Sequence, residues 1–345
     1  MKRLLILALI CYGSISAQNE PIGKDGIPTI IDLFNQKPIV AISETHGHAQ
    51  LYQFLTDLVQ NKGFYENVND ILIESGNALY QDTLDKYISG IEVEFENLQK
   101  VWLNTTQSPV DPWSVDVYFN FLKTVRELNS RISINHRIRI IAADSPIEWE
   151  SVNTNEDYVT ARGSRNDYYA QTVINEVLSK KHKALLINGG GHFGNHKSNT
   201  VNQKIEKVYP NSVTIILAKS GLFRGNEEKE QQLNWSIGTI ANVKDNWIGL
   251  LPGPSRWVIR DTSTPTQTPS ERPTSPPSIY KRQDYFDYLL YLGSSKDLTY
   301  GNIDASIYES EKLWKELNRR SMIRFNHKLI EDSRKLGELR PEAYN

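Results

Sequence analysis

The sequence predicts an α/β protein with a central, mostly parallel sheet flanked by helices, and three observations carry that prediction. Short apolar runs alternate with stretches of helical periodicity, the order expected of a layered α/β fold. The runs are continuous rather than alternating, as in strands buried on both faces. Four of the five runs end in an acid or close to a histidine, and open α/β sheets bind ligands outside the carboxyl ends of their strands.

The first 17 residues read as a secretory signal. Met1-Lys2-Arg3 is a basic start, Leu4 to Ile10 is apolar, and Ser14-Ile15-Ser16-Ala17 supplies small residues for cleavage near Ala17. The expected location is periplasmic or secreted. The apolar run is far short of the roughly 20 residues of a membrane span, and no other segment is apolar enough to span a bilayer. Cys11, the only cysteine, lies within the signal, so the mature chain offers neither disulfides nor thiolate ligands.

Residues 18–260 read as one α/β domain. Pro38 to Ile42 is its first strand, followed by an amphipathic helix carrying Leu51, Phe54, Leu55 and Leu58 and closed by Asn61-Lys62-Gly63. Asp70 to Glu74, Arg137 to Ala143, Lys183 to Ile187 and Ser212 to Ala218 are the remaining strands. Between the second and third lies a mostly helical insert, about 78–133, with Val117, Phe121, Val125 and Leu128 at helical spacing; it is expected to form a cap over the sheet edge. Another helix is expected from Arg165 to Leu178. Residues 261–278 are rich in Thr, Pro and Ser and read as a loop. Residues 279–345 are expected to add helices near 285–292 and 307–331, packed on the same domain.

Net charge is −2 and no basic run is present, so nucleic-acid binding has little support. A small-molecule substrate fits better, since 7 Trp and 17 Tyr favour a well-packed core or an apolar pocket.

If the strands are parallel, Glu44, His46, Glu74, Asp144 and His192 converge on one crevice although they are far apart in sequence. A histidine beside carboxylates is held in one tautomer and can take a proton from water. Gly47 and Gly189 to Gly191 let backbone approach a ligand and offer N–H groups to an oxyanion. Arg162 or Arg165 could orient a carboxylate, and Asp144 and His48 complete the expected substrate-binding set. The pairs His46/His48 and His192/His196 leave a metal reading open, although neither has the helical context of a metalloprotease motif. No Gly-x-Ser-x-Gly elbow supports a serine nucleophile.

Several of these blocks resemble erythromycin-esterase-like proteins. Ile42-Ser43-Glu44-Thr45-His46-Gly47-His48, the helix ending in Lys62-Gly63-Phe64, and Ile71-Leu72-Ile73-Glu74 are similar to that family's opening. Arg165-Asn166-Asp167-Tyr168-Tyr169-Ala170 is similar to its arginine-led helix, Leu185 to His192 to its strand ending in Asn-x-His, and Tyr285 to Tyr291 to its closing helix. The resemblance implies metal-independent, cofactor-free hydrolysis of an ester, lactone or related acyl bond. His46 would be the general base, Glu44 and Glu74 would position it, His192 would assist, and Arg165 would match the family's helix arginine. Ser43 in place of the usual Gly, and Tyr169 in place of Met, bear on the substrate more than on the core. The same superfamily includes haem-uptake lipoproteins of the ChaN type and TraB/Tiki metalloproteases, which imply haem binding or a metal-dependent hydrolase as alternatives.

Overall fold

Each buried strand sends alternate residues to opposite faces, so a continuous apolar run needs a hydrophobic layer on both sides. In the computed structural model, which describes residues 19–110, 115–195, 199–221, 226–253, 280–303 and 305–331, both layers are helical. The signal at 1–17 and the segment at 261–278 lie outside the described residues.

The strands are β1 (Lys24–Asp25), β2 (Ile39–Glu44), β3 (Asp70–Asn77), β4 (Arg139–Asp144), β5 (Ala184–Gly189), β6 (Val213–Lys219), β7 (Thr239–Asn242) and β8 (Tyr288–Tyr291). They form one eight-stranded sheet in the order β1-β7-β8-β6-β2-β5-β3-β4. The six strands from β8 to β4 pair in parallel, while β7 runs antiparallel to both β8 and β1. Val40, Ile42, Ile71, Ile73, Ile140 and Ile187 pack on one face with the helices Ala49–Gln60 and Asp116–Arg131. Ile39, Ala41, Leu72, Ile141 and Leu186 pack on the other with Arg165–Thr172 and Val201–Val208.

All five strands expected from the sequence form, and two elements differ from expectation. Tyr285 to Leu292 is not a helix: its centre is β8, with Leu289 in one core cluster and Leu290 in the other, both fully buried. A four-residue apolar run buried on both faces hides its own period. The helix expected from Arg165 to Leu178 is α-helical only to Thr172, then widens into a π turn over Val173–Val177 and tightens over Leu178–Lys180. The helical insert forms as a packed layer. Leu84, Leu98, Val101, Trp102, Phe121 and Val125 share one core cluster with β2 and β3. The insert also finishes the sheet, because Gln81 uses its amide as a surrogate strand. Its Nε2 donates to Ile140 O at 2.9 Å and its Oε1 accepts from Ala142 N at 2.8 Å, which covers the edge of β4.

The Glu311–Phe325 helix, capped by Ser310, carries Arg319 and Arg320 onto the connection around Trp149. Among the described residues, no helix is long and apolar enough to cross a membrane.

Candidate active site

Because β2, β3, β4 and β5 are parallel, their carboxyl ends lie at one end of the sheet, with Glu44 in register with Gly189. The register of β3 against β4 slips between Ile73 and Asn77. A bulge redirects side chains, and Glu74 is the first residue within it. The bend brings Gly76 so close to β4 that a Cβ there would stand 2.8 Å from Ala142 Cβ.

Glu44 Oε1 accepts a hydrogen bond from His46 Nδ1 at 2.9 Å, and its Oε2 accepts from the Tyr52 hydroxyl at 2.8 Å. Glu44 is thereby held on both oxygens, and His46 is held in the tautomer protonated on Nδ1. The His46 ring lies over Gly189, where a Cβ would meet its Cε1 at 3.0 Å, its Nε2 at 3.1 Å and Glu74 Oε2 at 3.3 Å. Any side chain at 189 would wedge His46 and Glu74 apart.

Glu74 is the hub. Its Oε1 meets Arg165 Nη2 at 2.7 Å, His192 Nε2 at 3.1 Å and Gln107 Nε2 at 3.1 Å, and its Oε2 accepts from Gly189 N–H at 2.7 Å. Arg165, first residue of its helix after the Ser164 cap, extends Nε to Asp144 Oδ1 at 2.8 Å. Asp144 also accepts from the Thr106 hydroxyl at 2.8 Å and the Thr106 N–H at 2.5 Å. His192 Nδ1 faces Asn166 Oδ1 at 2.5 Å, and the Asn166 amide is oriented by its own bond to Asn199 O. Both His192 nitrogens therefore face acceptor oxygens.

Burial of Glu74 would by itself raise its pKa. The charge interaction and hydrogen bond with His192, followed by Arg165 and then His46, outweigh burial and hold the carboxyl well below its ordinary range. Burial likewise disfavours a charged His46, but the hydrogen bond and charge of Glu44, with Glu74 behind it, lift its pKa above the ordinary histidine value. Arg165 stays charged, because Glu74 and Asp144 overcome the burial that would discharge it.

The structure thus brings together Glu44, His46, Glu74, Asp144, Arg165 and His192. His48 stands apart: it caps the Ala49–Gln60 helix by accepting from Leu51 N–H, and its Nε2 pairs with Ser220 Oγ at 2.8 Å. His196 lies outside the described residues. Arg162 lies over the Tyr158 ring, leaving Arg165 as the arginine of the site. Arg165 in turn is committed to two protein carboxylates, which argues against a role in holding a substrate carboxylate. Of the glycine N–H groups expected to face an oxyanion, Gly189 serves Glu74 and Gly47 serves Tyr118 OH.

Tyr52, Thr106, Gln107 and Asn166 are site residues that sequence reasoning missed. Tyr52 shares a helical stripe with Leu55 and Val59, a signal for burial but not for a polar partner. Thr106 and Gln107 come from a connection without periodicity, and only three-dimensional contacts reveal them.

Glu44, His46 and Glu74 each offer one atom within 4.8 Å of the others, the spacing of a potential metal set. The fit is poor. His46 Nδ1 and Glu44 are spent on each other, both Glu74 oxygens accept hydrogen bonds, and the Arg165 cation on Glu74 opposes a divalent ion.

Fold and cluster together define an α/β protein with a hydrogen-bonded Glu–His pair and a Glu–Arg–Asp–His network at the carboxyl end of a parallel sheet. No family model and no curated protein matches the chain. Two solved structures share its fold: a succinoglycan biosynthesis protein, at 9% identity, TM-score 0.53, covering 84% of this chain and 97% of that one, and a Bacillus cereus protein, at 10% identity, TM-score 0.51, covering 80% and 92%. An erythromycin esterase, the EreC mutant in its open conformation, is also similar at 11% identity and TM-score 0.49, covering 80% and 94%.

Proposed function

We propose that this chain is an exported hydrolase that uses water to cleave an ester, lactone or related acyl bond. The observation that carries the reading is the 2.9 Å bond from His46 Nδ1 to Glu44, which leaves Nε2 as the basic nitrogen, beside Gly189 and Glu74. In the reaction, His46 Nε2 takes a proton from water while the water oxygen bonds to the acyl carbon. The resulting tetrahedral oxyanion collapses, the C–O bond to the leaving group breaks, and the leaving oxygen takes the proton back from His46. Glu44 fixes the tautomer and steadies the imidazolium, and the charged Glu74 network adds to that stabilisation. The ester class comes from the resemblance of the Ser43 to His48 block to erythromycin-esterase-like proteins; export comes from the basic, apolar and small-residue segments before Gln18.

The test is a panel of esters, lactones and peptides given to the purified mature protein, with and without chelator. Hydrolysis of an ester or lactone that survives chelation and drops about 10² to 10⁴-fold in His46→Ala supports the reading. Full activity in His46→Ala overturns it. Activity abolished by chelator points instead to the three-residue metal set, and a Soret band on adding haem, lost in His46→Ala, to a ligand-binding protein.

A further inference from the structure

Six consecutive carbonyl groups, from Leu103 to Ser108, each accept a hydrogen bond from a side chain remote in sequence. Arg320 Nη1 donates to Leu103 O at 3.1 Å, Asn77 Nδ2 to Asn104 O at 2.7 Å, and Trp149 Nε1 to Thr105 O at 3.1 Å. The Tyr158 hydroxyl donates to Thr106 O at 3.0 Å, and Arg324 Nη1 donates both to Gln107 O and to Ser108 O. The donors brace one another. The Trp149 and Tyr158 rings stack with centroids 5.7 Å apart, the Arg320 guanidinium lies 4.9 Å from the Trp149 centroid, and that of Arg324 lies 5.2 Å from the Tyr158 centroid.

Ordering backbone costs roughly 1–2 kcal/mol per residue, and connecting segments are usually left mobile. A connection held at every carbonyl is a template. Two of its side chains end on the site's carboxylates: Thr106 on Asp144, and Gln107 Nε2 on Glu74 Oε1 at 3.1 Å. Arg165 and His192 reach that same oxygen from the Arg165–Thr172 helix and from beyond β5. Gln107 thus supplies a third direction of restraint, from the connection that follows the Phe95–Leu103 helix.

We propose that Gln107 is a positioning residue of the active site, locked by Arg324, which holds Glu74 Oε1 in place so that Glu74 stays beside the His46 ring. Gln107 acts through Glu74 and not on substrate, and the Glu311–Phe325 helix becomes part of the catalytic apparatus. The inference rests on the hydrolase reading for its kinetic consequence, but not for its geometry.

Gln107→Met keeps the length of the side chain and removes the donor. With an ester substrate, kcat should fall about tenfold, the effect of one lost hydrogen bond to a charged group, with KM nearly unchanged. Arg324→Met should lower kcat similarly, and the double variant should be no slower than the slower single one, because both remove the same restraint. Unchanged kcat in Gln107→Met, or losses that multiply in the double variant, would overturn the proposal. A second measurement needs no substrate: in the full mature chain, one Gln107 carboxamide proton should resonate downfield in the NMR spectrum and return to its ordinary position in Glu74→Gln. An unshifted proton also overturns the proposal, even if Arg324→Met fails to fold. If no panel member is hydrolysed while the proton shift is seen, the hydrolase reading fails and the placement of Gln107 stands.

Discussion

Arg165 carries the charge balance of the site, since its guanidinium alone bridges Glu74 and Asp144. Removing one member of a buried ion network leaves the others uncompensated, at about 3–5 kcal/mol. Arg165→Met should therefore lower the urea midpoint at neutral pH by that much in free energy, and more than Arg165→Lys, which retains charge without the fork. The two titrating partners act in opposite directions. Glu74, held low, stabilises the fold above the ordinary carboxylate range, and that contribution is lost as pH falls through its depressed value. His46, held high, stabilises the fold fully below about pH 6.5 and less as pH rises through its elevated value. Under the proposed hydrolase reading the dependence runs the other way for His46, because a base must be unprotonated. The acid limb of kcat/KM should lie above pH 6.5, and a limb below that value would remove His46 as the base. At this scale the convergence was legible: acids and histidines after successive strands pointed to Glu44, His46, Glu74, Asp144 and His192 meeting at one end of the sheet. His48 caps a helix, and a histidine two residues away from His46 has the same signature whether it joins the site or does so.

At the scale of elements, the bulge in β3 and the end of β5 position the two halves of the site. Gly76→Ala would push a methyl group to 2.8 Å from Ala142 Cβ and 3.0 Å from its Cα, on the neighbouring strand β4, where Ala142 is buried. The strands would have to separate, so a drop in thermal stability with displaced Glu74 is expected, read by unfolding and by loss of activity together. Gly189→Ala is milder for the fold and harsher for the site, since the new methyl meets the His46 ring and Glu74 Oε2 rather than backbone. It should unfold near the wild-type temperature while losing most activity; retained activity would show that the close contact of His46 with Gly189 is dispensable. Long parallel strands were readable as apolar runs. β1 and β7 were not, because two and four residues at a sheet margin carry too little pattern, and β8 was mistaken for a helix because both its faces are buried.

Across the whole molecule, what the sequence concealed is what long-range contact supplies. Nothing local in Asn104 to Ser108 marks that connection as a wall of the site; its role depends on Asn77, Trp149, Tyr158, Arg320 and Arg324 arriving from four other parts of the chain. Glu44 and Arg324 stand about 280 residues apart. A ribosome adding ~5–20 residues per second separates their synthesis by roughly 15 to 60 seconds. Once His192 has been made, the nascent chain holds every acid and histidine of the cluster, yet still lacks the arginine that clamps Gln107. The completed cluster would then come late in biogenesis, because its last restraint is among the last parts of the described chain to be made.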